Sequence, residues 1–129
     1  MTFSTLEKRA FIFAMQLMMS VDGISHPAKK RIFDNVYKSL NISYEEGLSF
    51  LNYSKSSQIN MDEHYSIISK MDLEKKKDLI SILTVLSTIG KDFNNEKSEL
   101  LTGHRAFCDL TYKEYSMLQA LLDAKKYIV

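Results

Sequence analysis

The chain has 129 residues, of which 45% are hydrophobic and 26% charged, a composition typical of one globular domain with its own core. Its 17 basic and 16 acidic residues leave a net charge of +1, which argues against nucleic acid or any partner that binds through a broad basic surface. Cys108 is the only cysteine, so neither an intramolecular disulfide nor a thiolate metal cluster can form. We expect a single cytoplasmic domain spanning residues 1–129, without membrane insertion because no apolar run reaches about 18 residues.

The first predicted helix opens with a capping box, Ser4-x-x-Glu7, in which each side chain can satisfy an amide at the helix start. Apolar residues then recur at three- and four-residue spacing up to Val21. Others widen this stripe, so we expect the helix to be buried on two sides. Asp22-Gly23 ends the helix, because glycine readily adopts the positive φ angle that a helix C-terminus prefers.

The second predicted helix follows at once. Ser25 is its expected N-cap, and Pro27 suits the first turn because the amide it lacks would have no partner there. The helix is expected to bury its apolar face and to turn the basic run 29–31 outward, ending at Asn41-Ile42.

Five more helices are predicted along the remainder of the chain. Their expected N-caps, in chain order, are Ser43, Asn60, Asp72, Asn94 or Asn95, and Thr111. The helix over 73–89 is apolar on nearly every face in its second half, which predicts the central helix of the bundle. No segment alternates with a two-residue period. The sequence therefore predicts an all-α bundle of about seven helices.

Part of this pattern recurs 68 residues later in the chain. The matched residues are Leu17, Met18 and Val21 with Val85, Leu86 and Ile89, Ile32 and Phe33 with Leu100 and Leu101, Leu40 with Cys108, and Ser43 with Thr111. We interpret the repeat as two pseudo-repeated helix-turn-helix halves packed about a pseudo-twofold axis. A chance match between two amphipathic helix pairs is the alternative.

A helix ending in V-D-G-I-S, followed by a helix and then by L-N-I-S-x-E-E, resembles the TerB-like family of tellurite-resistance helical domains. The resemblance extends over about residues 6–122 and includes the helix count and the weak repeat. It implies an α-helical domain with acidic residues near two equivalent turns, and a role in stress response or ion binding. The family's turn, A-D-G-x-I-x-x-x-E, is kept in part. Asp22 and Gly23 are present, whereas Ala28 stands where a glutamate is expected and the second copy has Ile89-Gly90.

The acidic residues near the two turns form a candidate metal site. If the turns meet in space, Asp22, Asp92 and Glu96 supply three carboxylates to a divalent cation, with carbonyls or water completing the shell. The alternative is that Asp22 caps its turn, while Asp92 and Glu96 favour the positive end of the following helix. An EF-hand is excluded, because Met18 and Lys29 would occupy ligand positions that require carboxylates.

The reactive side chains do not form the pattern of a catalytic site. None of the three histidines lies at i, i+4 to another; we expect His104 to be a hydrogen-bonded core residue and His64 to lie on a solvated face. Cys108 takes a core position in the repeat. The chain has no G-x-S-x-G, no P-loop and no glycine-rich phosphate loop. We predict that the protein is not an enzyme, and the sequence identifies no small-molecule substrate.

Some aromatic residues, especially Phe3, Phe11 and Tyr127, exceed what we expect a monomer to bury, which predicts self-association. Our leading hypothesis is therefore a non-catalytic TerB-like binding or sensing module with a weak cation site. The alternative is an interaction or scaffold domain, homodimeric or docked to a protein partner, that holds no metal.

Overall fold

The structure, a computed structural model, describes residues 2–21, 26–56, 59–90 and 93–128. Within these ranges the chain forms seven α-helices and no strand, which confirms the predicted all-α fold. The helices are α1 (Thr5–Ser20), α2 (Pro27–Ser39), α3 (Tyr44–Lys55), α4 (Met61–Ser69), α5 (Leu73–Ser87), α6 (Asn95–Phe107) and α7 (Met117–Asp123), followed by a 3₁₀ helix (Ala124–Tyr127). None of the described helices is both long and apolar enough to span a bilayer.

Helix α5 forms the centre of the bundle, as predicted. Its residues from Asp78 to Ser87 are all buried, and it contacts α1, α6, α7 and the 3₁₀ helix. The hydroxyls of Ser81, Thr84 and Ser87 donate to main-chain carbonyls three or four residues earlier, at 2.6 to 2.7 Å. These bonds let a helix with three hydroxyl groups lie in the core without unsatisfied donors.

Most helix starts agree with the sequence prediction. Ser4 with Glu7 and Ser43 with Glu46 form complete capping boxes at the starts of α1 and α3. The caps of α4, α5 and α6 are the side chains of Asn60, Asp72 and Asn94. These interactions are local, so the residue pattern alone predicts them.

The start of α2 differs from the prediction. Its N-cap is His26, whose Nδ1 accepts a hydrogen bond from the amide of Ala28 at 3.1 Å. Ser25, the expected cap, lies outside the described residues. The imidazole nitrogen therefore takes the role that a hydroxyl or carboxylate oxygen usually has at this position.

The start of the last helix also differs. Thr111 Oγ1 accepts the amide of Glu114 as predicted, but this bond closes a turn, and α7 begins later with Ser116 as its N-cap. The buried side chain of Arg105 holds this turn, because its Nη1 donates to the carbonyls of Thr111 and Tyr115. The carbonyl of Thr111 also accepts the amide of Tyr115 at 2.9 Å, so these residues close a single turn before α7 begins.

The helix boundaries of the two halves share the 68-residue offset of the apolar pattern. Helices α2 and α6 both have 13 residues and begin and end 68 positions apart, and the N-caps Ser4 and Asp72 have the same separation. Each of α2 and α6 is followed by a residue with a φ angle of 54°, Asn41 and Asp109 respectively. This left-handed conformation is one that asparagine and aspartate tolerate. The offset thus extends from side-chain type to backbone conformation.

The 3₁₀ helix connects both halves of the chain. The hydroxyl of buried Tyr127 donates to Asp78 Oδ2 at 2.7 Å, and its main-chain carbonyl accepts from Asn35 Nδ2, also at 2.7 Å. Lys126 Nζ lies 2.9 Å from the other carboxylate oxygen of Asp78. Burial and the neighbouring Asp78 raise the pKa of Tyr127 well above its ordinary value, so this hydroxyl remains a donor.

Candidate functional site

The predicted metal site lies only partly within the described residues. Asp22 and Asp92 are outside them, and Glu96 is exposed in the first turn of α6, where a carboxylate complements the positive end of the helix. In the ranges that the structure describes, no group of three or more histidine, cysteine, aspartate or glutamate side chains could hold a metal ion. The three-carboxylate site therefore stays a prediction.

Two buried lysines lie beside the turns that carry this prediction. Lys29 is 1% exposed and, among its contacts, donates from Nζ to the carbonyl of Met19 at 3.2 Å. Lys97, 68 positions later, is fully buried and donates in the same way to the carbonyl of Ile89 at 3.3 Å. Each ammonium group thus complements the negative end of the preceding helix. A buried lysine of the following helix therefore contacts the end of the preceding helix in both halves.

The expectation that Lys29 faces outward was wrong. A lysine can bury its four-carbon stem and still reach a polar group with its ammonium, so a basic run does not identify which of its members are solvated. Lys30 and Arg31 are exposed as predicted. The signal that separates Lys29 from them is its match to Lys97 at the repeat spacing.

A pair of buried histidines joins α4 to α6. His64 and His104 are 2% and 0% exposed, and their Nε2 atoms lie 3.0 Å apart. His104 Nδ1 lies 2.8 Å from the carbonyl of Leu100, which can only accept, so Nδ1 carries the proton. In the neutral ring Nε2 of His104 is then an acceptor, and Nε2–H of His64 donates to it. One hydrogen bond between neutral imidazoles therefore connects the two helices.

The surroundings of the pair favour the neutral form of both rings. Burial lowers the pKa of His64 to about 3, with further contributions from His104 and Arg9, and burial also lowers the pKa of His104. The ring of Phe13 packs edge-on against His64, and that of Tyr65 against His104, each with centroids 5.1 Å apart. Two imidazoles do not complete the four-ligand shell that zinc requires. The pair is therefore a core connection.

The prediction for His104 as a hydrogen-bonded core residue is confirmed, whereas that of a solvated His64 was wrong. Asp62 and Glu63 are exposed, as expected of the first turn of α4, but the next residue lies about 100° further around the helix and points inward. The partner of His64 is 40 residues away in the sequence. No local pattern identifies it.

Cys108 has the properties of a core residue. It is 1% exposed, and burial raises the pKa of its thiol to about 12. A thiol with so high a pKa carries almost no thiolate at neutral pH, and the thiolate is the nucleophilic form. This agrees with its predicted core position.

The aromatic residues that were expected to remain unburied pack into the core. Phe11 is fully buried and Tyr127 is 7% exposed, while Phe3 packs edge-on against Phe11 with centroids 5.1 Å apart. The prediction of an aromatic excess at these positions was therefore wrong. The packing of these three residues therefore gives no support to self-association.

Helix α3 carries an exposed apolar stripe that the sequence did not single out. Tyr44, Leu48 and Leu51 follow at i, i+4 and i+7 and are 77%, 46% and 45% exposed. Phe50, on another side of the helix, is buried, and the main contact of α3 is with α1. The periodicity identifies apolar positions but does not tell which side of a helix has a neighbour.

The comparisons with known proteins give a fold relative without a known function. No protein-family model matches the chain, and no curated protein matches it. The structure is similar to the crystal structure of PG1108, a protein of unknown function from Porphyromonas gingivalis W83, with a TM-score of 0.68 and 26% sequence identity. The match covers 97% of this chain and 99% of that protein. The similarity extends over essentially the whole of both chains, so the two proteins share the bundle described here.

Proposed function

We propose that this chain is a non-catalytic TerB-like helical module that works by protein–protein contact, and that its partner is a second copy of itself. The observation that carries this proposal is the exposed stripe of Tyr44, Leu48 and Leu51 on α3. Large apolar side chains grouped on one helix face are typical of interfaces, whereas scattered ones are normal on any surface.

The charges on α3 favour a second copy as the occupant of the stripe. Glu45 lies in the first turn of α3 and Lys55 in the last. When two copies of α3 pack antiparallel about a twofold axis, the acidic end of each helix lies beside the basic end of the other, and the apolar stripes face each other. The same helix thus provides both halves of a self-complementary contact.

Other observations support an interaction module without metal or catalysis. The ammonium groups of Lys29 and Lys97 already occupy the carbonyls of Met19 and Ile89, and carbonyl oxygens are among the ligands that a cation such as Ca²⁺ would use. The thiol of Cys108 is a possible nucleophile, and the imidazoles of His64 and His104 are possible general bases. All three groups are buried, so a substrate in solution does not reach them. The TerB-like assignment and the cytoplasmic location remain predictions from the sequence.

Sedimentation velocity over a range of protein concentrations tests the proposal. We expect a concentration-dependent dimer that Leu48→Glu converts to a monomer, because the charge would be buried in the contact. Leu118→Glu is the matched control, since Leu118 is 68% exposed on α7 and lies outside the stripe. A wild-type chain that stays monomeric at the highest concentration, or a Leu48→Glu variant that still dimerises, would overturn the proposal.

Calorimetry on metal-stripped protein tests the metal-free form of the proposal. We expect no saturable heat with Ca²⁺, Mg²⁺, Mn²⁺ or Zn²⁺. A saturable heat that Asp22→Asn abolishes would favour the cation site predicted from the sequence. This outcome concerns the turns alone and can be distinguished from a failure of the dimer.

A further inference from the structure

A buried arginine beside a cavity forms a second candidate site, remote from the turns. Arg105 on α6 is 3% exposed, and its Nη1 donates to the carbonyls of Leu110, Thr111 and Tyr115. Its Nε and Nη2 are buried without a hydrogen-bond partner. No carboxylate of the described residues forms an ion pair with it. A buried cation in this state lacks the counter-charge that usually compensates for lost hydration.

The two unpartnered nitrogens are the ones that recognise a carboxylate. Nε–H and Nη2–H lie along one edge of the planar guanidinium and point in parallel, so they match the two oxygens of a carboxylate. Because Nη1 is already held by carbonyls, this edge is fixed in orientation before any ligand arrives. Such preorganisation reduces the entropy lost on binding.

A cavity of about 380 Å³ adjoins Arg105, within the size range of small-molecule sites. Its wall includes Leu110, Thr111 and Tyr112, so it is partly apolar. The ring of Tyr112 lies over the guanidinium, with Cζ 4.1 Å from the ring centroid, and is 40% exposed. The Tyr112 hydroxyl lies 3.4 Å from the hydroxyl of Thr102, a long contact. The ring therefore covers one face of the guanidinium and forms part of the cavity wall.

Two carboxylates line the same cavity, those of Asp109 and Glu114. They disfavour a ligand that is only negative, such as phosphate, because its charge would be repelled on this side. They favour a ligand with a positive group near its carboxylate. The charges of the wall thus specify a zwitterion.

In the first half of the chain the equivalent positions hold an ammonium group. Asn41 and Glu46 stand 68 residues before Asp109 and Glu114, and they hold an ammonium group, that of Lys8. Lys8 Nζ donates to the carbonyl of Asn41 at 3.0 Å and lies 3.1 Å from Glu46 Oε1. The counterpart of Lys8 is Lys76, which forms no ion pair with Glu114 in the described structure.

We propose that this cavity binds a free α-amino acid, with its carboxylate on Nε and Nη2 of Arg105 and its ammonium group between Asp109 and Glu114. The ammonium takes the place that Lys8 occupies in the first half. The side chain of the ligand lies against the apolar wall formed by Leu110 and the ring of Tyr112.

Titration by NMR with the standard L-amino acids, each at millimolar concentration, tests the proposal. We expect at least one to shift the amide signals of Arg105 to Glu114. The decarboxylated amine and the deaminated acid of that ligand should each bind about tenfold more weakly, because each lacks one of the two charged contacts. The absence of any shift, an analogue that binds as tightly as the amino acid, or equally tight binding of inorganic phosphate would overturn the proposal.

A variant separates the ammonium contact from the fold. Arg105→Lys removes the Nε and Nη2 groups but also disturbs the three carbonyl contacts of Nη1, so a loss of binding would not be separable from unfolding. Glu114→Gln changes only an exposed carboxylate and keeps the amide that Thr111 accepts. We expect it to weaken amino acid binding about tenfold, while Glu99→Gln, an exposed carboxylate elsewhere on α6, leaves binding unchanged. Unchanged affinity in Glu114→Gln would refute the assignment of the ammonium group.

Discussion

The buried histidine pair predicts that the folded state weakens as the solution becomes acidic. In the unfolded chain a histidine binds a proton with a pKa of about 6.5, whereas burial lowers the pKa of His64 in the folded state to about 3. The unfolded state therefore binds more protons below about pH 6.5, and the stability contributed by this group is present above that pH and lost as the pH falls. His104 acts in the same direction, because burial also lowers its pKa.

The magnitude follows from the proton linkage. For one histidine that stays neutral in the folded state, lowering the pH from about 7 to about 5 reduces the free energy of unfolding by about 2 kcal/mol. His104 adds to this loss. At lower pH a second effect begins, since protonation of His104 at Nε2 would place two N–H groups of the pair against each other at 3.0 Å. Urea unfolding followed by far-ultraviolet circular dichroism at a series of pH values measures the loss directly.

Two variants sharpen the test. His64→Phe removes one titrating group and retains an aromatic ring beside Phe13. We therefore expect the free energy of unfolding to depend less steeply on pH between about pH 7 and about pH 5, because one proton fewer is bound on unfolding. His26→Asn removes a surface histidine and keeps a capping side chain, and it should retain the steep dependence because the buried pair is intact. A wild-type stability that is constant over this interval would refute the neutral buried pair.

Three further predictions concern single residues of the core and the turns. Tyr127→Phe removes the hydrogen bond to buried Asp78 and should reduce stability by about 1 to 2 kcal/mol in thermal unfolding. Cys108 should react slowly with a thiol reagent in the native protein and rapidly in urea; equal rates would show that the thiol is accessible. Asn41→Gly should be neutral or stabilising by up to about 1 kcal/mol because φ is positive there, and Asn41→Ala should be destabilising; the reverse order in urea unfolding would contradict this conformation.

The features of the fold that depend on neighbouring residues could be predicted from the sequence. The capping boxes at Ser4 and Ser43 are satisfied within three residues, so composition and spacing are sufficient. The central position of α5 follows from the apolar residues on nearly every face of its second half, because no face there is suited to contact with solvent. The 68-residue offset was visible as an apolar pattern, and the same spacing relates Asn41 to Asp109 in the backbone.

The features that depend on distant residues could not be predicted. His64 can be buried because a partner 40 residues away accepts a hydrogen bond from its ring. Lys29 can be buried because a carbonyl of the preceding helix accepts a hydrogen bond from its ammonium group. The stripe around Leu48 has the periodicity of a buried face, and only the arrangement of the other helices leaves it exposed. The burial of Arg105 was missed for the same reason, because its partners are main-chain carbonyls of a turn, which no residue type in the sequence identifies.

The contact between Asn35 and Tyr127 constrains the order in which the chain can fold during synthesis. The two residues are 92 positions apart, so α2 leaves the ribosome long before the 3₁₀ helix that it packs against. Until then the first half lacks one of the surfaces that hold α2, and the carbonyl that Asn35 binds does not yet exist. The first half therefore reaches its final packing only after the second half has been made, and we expect the two halves to fold as one unit despite their similar helix boundaries.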